Sequence, residues 1–380
     1  MSDTARKPEW APEDSGAEFT SRIVKGVEGG HDGLRDQPKA KPSGQPPLRR
    51  RRLTVDDYVQ GVLAQDRTIL ARTITLIESN APAHMETAQR VLQQLLPHTG
   101  QSIRVGITGV PGVGKSTFID SLGTLLCERD YRVAVLAVDP SSSVTRGSIL
   151  GDKTRMPTLS RDPNAYIRPS PTGGALGGVT RKSRETILIC EAGGFNVILV
   201  ETVGVGQSEI AVRSMVDFFL LLMLTGAGDE LQGLKKGAIE LANVLLFTKA
   251  DGSNKVRAEA ARAEYAQAVQ YLSPATAGWK AQVRTCSALN NEGIVEIWQV
   301  IEDFRRQTTT SGVFETQRQR QVLDWMQEIV EEHLFALFFQ RPAIQEILPH
   351  IEEAVLKGEM PPTVGAQKLL ETFEAETKTR

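Results

Sequence analysis

A glycine-rich stretch in this chain fits the pattern G-x-x-x-x-G-K-[ST] at every fixed position and limits the chain to a small set of folds. Its residues are Gly109, Val110, Pro111, Gly112, Val113, Gly114, Lys115, Ser116 and Thr117. Residues 103–108 before it resemble a buried strand, and residues 118–129 after it repeat apolar side chains at helical spacing. Glycines in such a loop let backbone N–H groups face phosphate oxygens, and the positive end of the following helix attracts the same charge. The stretch therefore predicts a phosphate-binding loop, in which Lys115 contacts the phosphates and the Ser116 hydroxyl holds Mg²⁺.

The overall composition excludes several classes of protein. The 380 residues carry a formal net charge of −2, so no global positive field attracts nucleic acid or anionic membranes. Cys127, Cys190 and Cys286 are far apart, which favours a reducing compartment over a disulfide framework or a cysteine metal site. The longest apolar run, residues 218–224, is too short to cross a bilayer, and the N-terminus lacks the apolar core of a signal peptide. We therefore expect a cytoplasmic protein that binds neither nucleic acid nor membrane.

Changes in composition along the chain indicate four segments. Residues 1–52 are polar and rich in proline, glycine and charge, and are predicted to form a disordered extension. Residues 53–100 repeat apolar side chains at helical spacing and are predicted to form an N-terminal helical segment of two or three helices. Residues 101–307 contain the phosphate-binding loop and are assigned to the nucleotide-binding domain. Residues 308–380 are assigned to a C-terminal helical segment.

Apolar runs after the loop predict further strands at residues 132–138, 196–201, 217–224, 244–247 and 282–286. Helical stretches lie between most of these runs. This alternation predicts an α/β fold, in which a mainly parallel sheet is covered by helices on both faces, with helical extensions at both ends. Ligands of such sheets bind at the carboxyl ends of the strands, and we expect the functional residues there.

The C-terminal segment carries a broad apolar stripe. The pattern is helical from about Gln317, and Pro342 is predicted to end the helix. The stripe consists of Val322, Trp325, Met326, Ile329, Val330, Leu334, Leu337 and Phe338. An intramolecular core or a partner-facing surface would each explain it, and the pattern alone does not choose between them.

A second motif, Thr248-Lys249-Ala250-Asp251, follows a predicted strand and resembles the Asn-Lys-x-Asp motif with which GTPases recognise guanine. The Asp251 carboxylate can accept hydrogen bonds from the N1–H and 2-amino groups of guanine, whereas adenine offers neither donor. Lys249 would lay its aliphatic stem across the base. Thr248 lacks the side-chain amide by which the Asn of the motif ties this loop to the phosphate-binding loop, but its hydroxyl can form part of that hydrogen bonding. A second base-contacting loop is predicted at Ser287, Ala288 and Leu289. An isolated Lys-x-Asp is usually a solvated turn, but its position after a strand favours guanine recognition, with GTP and GDP as ligands.

Acidic residues near the same predicted edge indicate where Mg²⁺ binds. Glu201-x-x-Gly204 stands where GTPases usually place Asp-x-x-Gly, whose carboxylate orients Mg²⁺ or its water and whose glycine N–H senses the γ-phosphate. Because Glu is one methylene longer than Asp, we expect a water-mediated or differently placed metal contact. Asp139 and Asp152 are further candidates, since Mg²⁺ takes oxygen ligands. Spacing alone favours a surface charge for Asp152.

Several motifs taken together are similar to the MeaB/ArgK family of P-loop GTPases. Besides the phosphate-binding loop, they comprise residues 139–142, 147–156, 201–209 and 226–233. The likeness extends from about Val55 to the C-terminal helices and leaves the polar N-terminal extension outside it. The chain departs from the family at Thr248, where the family normally has Asn.

This resemblance implies a GTP-hydrolysing chaperone for an adenosylcobalamin-dependent acyl-CoA mutase, for which methylmalonyl-CoA mutase is the usual client. Such proteins couple GTP binding and hydrolysis to cofactor loading, and they protect the mutase from inactivation. The resemblance also implies homodimers built through the C-terminal helices, and a mobile loop at residues 226–235 that communicates with the mutase. The family's magnesium-associated residues fall on Ser116, Asp139, Asp152 and Glu201.

The group that positions the attacking water cannot be assigned from the sequence. Gln207 lies three residues after Gly204, and Lys235 in the mobile loop is a second candidate. Together with Lys115 and Glu201, these two are the predicted catalytic residues. Because no arginine finger is evident either, we expect slow intrinsic hydrolysis that accelerates when the mutase orders these loops.

Three other functions compete with this one. A kinase linked to amino-acid transport would need a catalytic base beside its acceptor, and no motif for one is evident. A metal-insertion GTPase would carry a His/Cys-rich cluster, whereas the five histidines are scattered at His31, His84, His98, His333 and His350. A partitioning ATPase would place a second Lys directly after the first glycine of the loop, where this chain has Val110.

Overall fold

The computed structural model describes residues 53–138, 155–169, 176–202, 208–225 and 236–378. The predicted polar extension, residues 1–52, lies outside these ranges. Five sequence-predicted site residues also lie outside them, namely Asp139, Asp152, Gly204, Gln207 and Lys235. No helix in the described ranges combines the length and the apolar character that a membrane crossing requires.

Seven strands of the described residues form one parallel sheet at the centre of the fold. In chain order they are β1 (Ile103–Gly109), β2 (Val133–Val138), β3 (Ala165–Arg168), β4 (Val197–Thr202), β5 (Phe218–Met223), β6 (Val244–Phe247) and β7 (Gln282–Thr285). Their order across the sheet is β3-β2-β4-β1-β5-β6-β7, with parallel pairing throughout. Every residue of β2, β4, β5 and β6 is buried, as expected for strands covered on both faces. The predicted α/β fold is confirmed.

Strand β3 was not predicted from the sequence. Half of its four residues carry polar groups, so no continuous apolar run marks it. Its position depends on pairing with β2, where Val133 lies opposite Ala165. The Arg67 guanidinium also donates to the Ala165 carbonyl at 2.6 Å. Contacts with its neighbours, rather than its own pattern, therefore make this edge segment a strand.

Twelve α-helices of the described residues accompany the sheet. They are α1 (Val55–Leu63), α2 (Arg67–Glu78), α3 (Pro82–Leu95), α4 (Lys115–Glu128), α5 (Leu176–Ala192), α6 (Ser208–Arg213), α7 (Lys236–Glu240), α8 (Lys255–Ala268), α9 (Ile294–Thr310), α10 (Val313–Phe339), α11 (Pro342–Leu356) and α12 (Pro362–Lys378). Helices α1, α2 and α3 pack against α5, and α9 packs against α4 and α10.

The helical segment predicted before the first strand is confirmed, and it contains three helices. Helix α1 begins with a capping box, because the Thr54 hydroxyl accepts from the Asp57 N–H and the Asp57 carboxylate accepts from the Thr54 N–H. Many of the apolar positions in these helices are fully buried, among them Val62 in α1, Ile74 in α2 and Val91 in α3. The helical spacing of apolar residues thus predicted the face that each helix buries.

The C-terminal helices follow the predicted break at Pro342. Helix α10 ends at Phe339, and Pro342 occupies the first turn of α11, where its missing N–H costs no hydrogen bond. Much of the apolar stripe on α10 is exposed, including Val322, Met326 and Leu334. The described residues therefore do not bury this stripe in an intramolecular core.

A buried ion pair joins the beginning of α10 to the sheet. Arg318 donates from Nε to Asp217 Oδ1 and from Nη2 to Asp217 Oδ2, both at 2.7 Å. The same guanidinium donates to the Gly100 and Ser102 carbonyls at 2.6 and 2.7 Å. Asp217 also accepts from the Arg104 N–H at 2.8 Å. One guanidinium thus links α10, β5 and the chain that enters β1.

We expect Arg318→Met to destabilise the protein by about 3–5 kcal/mol, because it leaves the buried Asp217 carboxylate without its counter-charge. Urea unfolding monitored by circular dichroism measures the change. The control is Arg320→Met on the same helix, whose side chain is exposed and lies 3.9 Å from Asp324. That variant should stay within about 0.5 kcal/mol of the wild type. Equal stability losses in the two variants would contradict the anchoring role of Arg318.

Candidate nucleotide-binding site

The phosphate-binding loop connects the end of β1 to the beginning of α4. Gly109 must be glycine for steric reasons, because a Cβ there would lie 2.5 Å from the Leu222 carbonyl oxygen. Gly114, with φ of 98°, has the left-handed conformation that precedes the first turn of α4. The loop thus ends at the N-terminus of a 14-residue helix, where unpaired N–H groups and the helix dipole favour an anion.

Lys115 folds back over this loop. Its Nζ donates to the Gly109 carbonyl at 2.7 Å and to the Val110 carbonyl at 3.3 Å. Burial lowers the pKa of Lys115 from its usual value, and the nearby Glu201 carboxylate opposes that shift. A half-buried ammonium group of this kind gains stabilisation from an anion placed beside it.

Ser116 and Glu201, two of the four sequence-predicted metal residues, lie together. The Ser116 hydroxyl on α4 donates to Glu201 Oε1 at 3.2 Å, and Glu201 is buried at the end of β4. A neighbouring contact, from the Thr202 hydroxyl to the Thr108 hydroxyl at 2.8 Å, joins β4 to β1. A hydroxyl and a carboxylate are oxygen ligands of the type that Mg²⁺ prefers. Within the described residues, no group of three or more His, Cys, Asp or Glu side chains forms a metal cluster.

Thr248 ties the loop after β6 to the phosphate-binding loop. Its hydroxyl donates to the Val113 carbonyl at 2.7 Å, and its side chain is buried. Lys249 has φ of 55°, and its Cε lies 4.0 Å from the position that a Cβ on Gly114 would take. The hydroxyl at position 248 therefore reaches the phosphate-binding loop, and the Lys249 stem lies close to the same loop.

The two predicted base-contacting loops lie side by side. The Ser287 hydroxyl donates to Asp251 Oδ2 at 2.6 Å, and the Ala250 N–H donates to the Cys286 carbonyl at 3.0 Å. Asp251 is half-buried, which leaves part of its carboxylate accessible, whereas Leu289 is exposed. The arrangement presents an oriented carboxylate at the carboxyl edge of the sheet.

Two side-chain contacts made by helix α4 were not predicted from the sequence. The Ser121 hydroxyl on α4 donates to the Ala288 carbonyl at 2.8 Å. Asp120 on the same helix accepts from the Leu159 N–H at 2.8 Å. Neither residue belongs to a motif, and each partner is distant in the sequence, so no local signal identified them.

The chain is similar in sequence to several known proteins. A family model described as methylmalonyl-CoA mutase-associated GTPase MeaB matches residues 70–343. A probable GTPase of Mycobacterium tuberculosis is 50% identical over 318 residues, which cover 84% of this chain and 95% of that protein. The mitochondrial methylmalonic aciduria type A homolog of Mus musculus is 46% identical over 331 residues, which cover 84% of this chain and 80% of that protein.

The fold is also similar to a solved structure. The crystal structure of a LAO/AO transport system kinase aligns with a TM-score of 0.70 and 35% sequence identity, covering 84% of this chain and 97% of that chain. The family expected from the motifs is thereby confirmed, because the family match extends from helix α2 to the beginning of α11. The chain belongs to the MeaB family of P-loop GTPases.

Proposed function

We propose that this GTPase binds GTP and GDP at the carboxyl edge of the sheet and assists an adenosylcobalamin-dependent acyl-CoA mutase of the methylmalonyl-CoA mutase type. The proposal of nucleotide binding rests on one observation, which is that the phosphate-binding loop and the loops after β6 and β7 lie next to one another. The Thr248 hydroxyl bonds to the Val113 carbonyl, and the Ser287 hydroxyl bonds to the Asp251 carboxylate. These two bonds hold a candidate base-recognition carboxylate beside the phosphate-binding loop.

Asp251 is the proposed determinant of base identity. Its carboxylate would accept from the N1–H and the 2-amino group of guanine, while the Ser287 hydroxyl fixes its orientation. With adenine, the same carboxylate would face an acceptor and no donor, which costs the free energy of an unpaired polar group. Lys249 would cover one face of the base with its stem, and Ala288 and Leu289 would border the other loop.

Lys115, Ser116 and Glu201 are the proposed phosphate and metal residues. Bound phosphate would offer the Lys115 ammonium acceptors that replace the two loop carbonyls. The Ser116 hydroxyl and the Glu201 carboxylate would hold Mg²⁺, with Asp139 and Asp152 as further proposed ligands. A bound Mg²⁺ would neutralise negative charge on the phosphate oxygens. The Gly204 N–H would sense the γ-phosphate.

Gln207 and Lys235 remain the proposed candidates for a group that orients the attacking water. Both belong to segments next to the described helices α6 and α7. We propose that binding to the mutase orders these segments, so that intrinsic hydrolysis is slow and the complex hydrolyses GTP faster.

The proposed mutase partner rests on the family description and on the name of the mouse relative. We also propose a homodimer formed through the C-terminal helices. The exposed apolar stripe on α10 supports it, since an apolar surface of that kind is typical of an interaction site. The three cysteines are buried free thiols, which suits the proposed cytoplasmic location.

A kinase linked to amino-acid transport is the second candidate function, because the similar solved structure is titled a LAO/AO transport system kinase. A kinase transfers the γ-phosphoryl group to an acceptor, whereas the GTPase transfers it to water. Incubation with γ-labelled GTP distinguishes the two functions, since only the kinase produces a labelled acceptor.

Asp251→Asn should lower GTP affinity at least about 100-fold and shift preference toward xanthosine triphosphate, whose C2 carbonyl can accept from the new amide. Isothermal titration calorimetry with GTP, ATP and xanthosine triphosphate measures the change. Asp303→Asn, an exposed carboxylate on α9, serves as the control and should leave all three affinities unchanged. Equal or tighter binding of ATP than of GTP by the wild type would overturn guanine recognition.

Thr248→Val should weaken GTP and GDP binding to the same extent, by about tenfold, because it leaves the buried Val113 carbonyl without its hydroxyl donor. Thr248→Asn should retain most of the affinity, since an amide also supplies a donor. Fluorescent-nucleotide titration measures these affinities. Thr308→Val, which removes a buried hydroxyl on α9 away from the site, is the matched control. Unchanged affinity in Thr248→Val would show that this bond does not support the phosphate-binding loop.

Saturating partner mutase should raise the single-turnover rate of GTP hydrolysis at least about tenfold, because it orders the groups that surround the γ-phosphate. Rapid-quench measurement with candidate acyl-CoA mutases tests this. Lys115→Ala should fold normally and show no hydrolysis with or without the mutase. A pull-down in GDP and in a non-hydrolysable GTP analogue identifies the client first. If a mutase that binds leaves the rate unchanged, the proposed stimulation is wrong.

A further inference from the structure

Asn254 lies between the proposed base-recognition loop and helix α8. It occupies the N-cap position of this helix, where an asparagine side chain usually accepts from the N–H groups of the first turn. In the part of the chain that the structure describes, its side chain forms no such capping bond. Its amide is instead turned back toward the loop after β6. Helix capping, the common reason for an asparagine at this position, therefore does not explain Asn254.

The Asn254 amide joins the loop after β6 to the chain that leaves strand β5. Its Nδ2 donates to the Lys249 carbonyl at 2.8 Å. Its Oδ1 accepts at 2.6 Å from the hydroxyl of Thr225, which lies two residues after the end of β5. Because a carbonyl can only accept hydrogen bonds, Nδ2 must face Lys249, and Oδ1 must then face the hydroxyl that donates. Both ends of the amide are used, so its orientation is fixed.

The backbone that this amide holds has an unusual conformation. Lys249 has φ of 55°, in the left-handed region that residues other than glycine rarely adopt. Gly252 has φ of 48°, so two left-handed residues lie on either side of Asp251. The Asn254 N–H also donates to the Asp251 carbonyl at 3.0 Å. Because a left-handed residue persists only where its surroundings hold it, the bond from Asn254 to the Lys249 carbonyl stabilises the turn that presents Asp251.

The loop after β6 is thus anchored at both of its ends. At its beginning, the Thr248 hydroxyl donates to the Val113 carbonyl of the phosphate-binding loop. At its end, Asn254 bonds to Thr225 beyond the carboxyl end of β5. Strand β5 is buried along its whole length and pairs with both β1 and β6, so it is a rigid part of the sheet. The first anchor fixes the loop relative to the phosphate-binding loop, and the second fixes it relative to the sheet.

We propose that Asn254 is a positioning residue for base recognition, acting through Lys249 and Asp251 rather than by contact with the base. Its amide fixes the Lys249 backbone relative to β5, and the turn from Lys249 to Asn254 then directs the Asp251 carboxylate at the edge of guanine. Because hydrogen bonds weaken steeply when they are misaligned, recognition of the 2-amino group depends on this direction. This inference rests on the proposed recognition of guanine by Asp251.

Calorimetric titration of the full-length protein with GTP and with inosine triphosphate tests the proposal. Inosine triphosphate keeps the N1–H of guanine and lacks its 2-amino group, so the ratio of the two affinities reports how well the Asp251 carboxylate meets that group. If Asn254 contributed to stability alone, its loss would change both affinities equally and leave the ratio unchanged. Titration of the wild type with ATP tests base recognition itself.

Two variants each remove one bond of the Asn254 amide. Asn254→Asp keeps the acceptor for the Thr225 hydroxyl and replaces the donor to the Lys249 carbonyl by an oxygen. Thr225→Val keeps the size of the side chain and loses the hydroxyl. Asn290→Asp is the matched control, because it adds the same charge at an exposed position in the loop after β7. Thermal unfolding establishes that each variant is folded.

We expect the wild type to bind GTP at least about tenfold more tightly than inosine triphosphate, because the 2-amino group donates to a charged acceptor. Asn254→Asp should lower this ratio about fivefold and Thr225→Val about threefold, since each variant loses one hydrogen bond of the amide. Asn290→Asp should keep the wild-type ratio. If Asn254→Asp does not fold, Thr225→Val decides the question.

The outcomes distinguish this inference from the proposed function. An unchanged ratio in folded Asn254→Asp, or an equal fall in Asn290→Asp, would overturn the role of Asn254 and leave guanine recognition in place. A wild type that prefers GTP to ATP but binds inosine triphosphate as tightly as GTP would do the same. A wild type that binds ATP as tightly as GTP would overturn guanine recognition, and the role of Asn254 with it.

Discussion

The parallel pairing of β1 between β4 and β5 sets the geometry of the phosphate end of the molecule. In this register Ile107 lies opposite Glu201, and Gly109 lies opposite Leu222. The absence of a side chain at Gly109 lets the chain turn into the loop while the strands stay paired. Ser116, on the first turn of the next helix, then reaches Glu201 at 3.2 Å. Strand register, more than any single side chain, brings the hydroxyl and the carboxylate together.

The loop after β6 is held to the phosphate-binding loop by a side-chain hydroxyl. The Thr248 hydroxyl donates to the Val113 carbonyl at 2.7 Å. The carboxylate of Asp251 is oriented in a similar way by the hydroxyl of Ser287. Both bonds connect segments that follow different strands, so the loops after β6 and β7 and the phosphate-binding loop form one hydrogen-bonded unit.

A short stretch of chain that contains helix α6 connects the carboxyl end of β4 to the amino end of β5. Helix α6 lies between the segment after Glu201 and Ser214, whose hydroxyl accepts from Arg184 Nη2 at 2.6 Å. At the amino end of β5, the buried pair of Arg318 and Asp217 fixes α10 against the sheet. Helix α6 and the turn after it therefore carry the chain from the end of β4 to these contacts.

The sequence alone determined the phosphate-binding loop, the parallel α/β class, the N-terminal helices and the helix break at Pro342, because glycine, proline and apolar periodicity act locally on the backbone. Only the tertiary structure decided that β3 is a strand, that Thr248 bonds to Val113 135 residues away, and that Ser116 meets Glu201. It also placed Arg318 of α10 against Asp217 and the Gly100 and Ser102 carbonyls. Such contacts join residues that are distant in the sequence, so they depend on how whole helices and strands pack. No local sequence pattern predicts them.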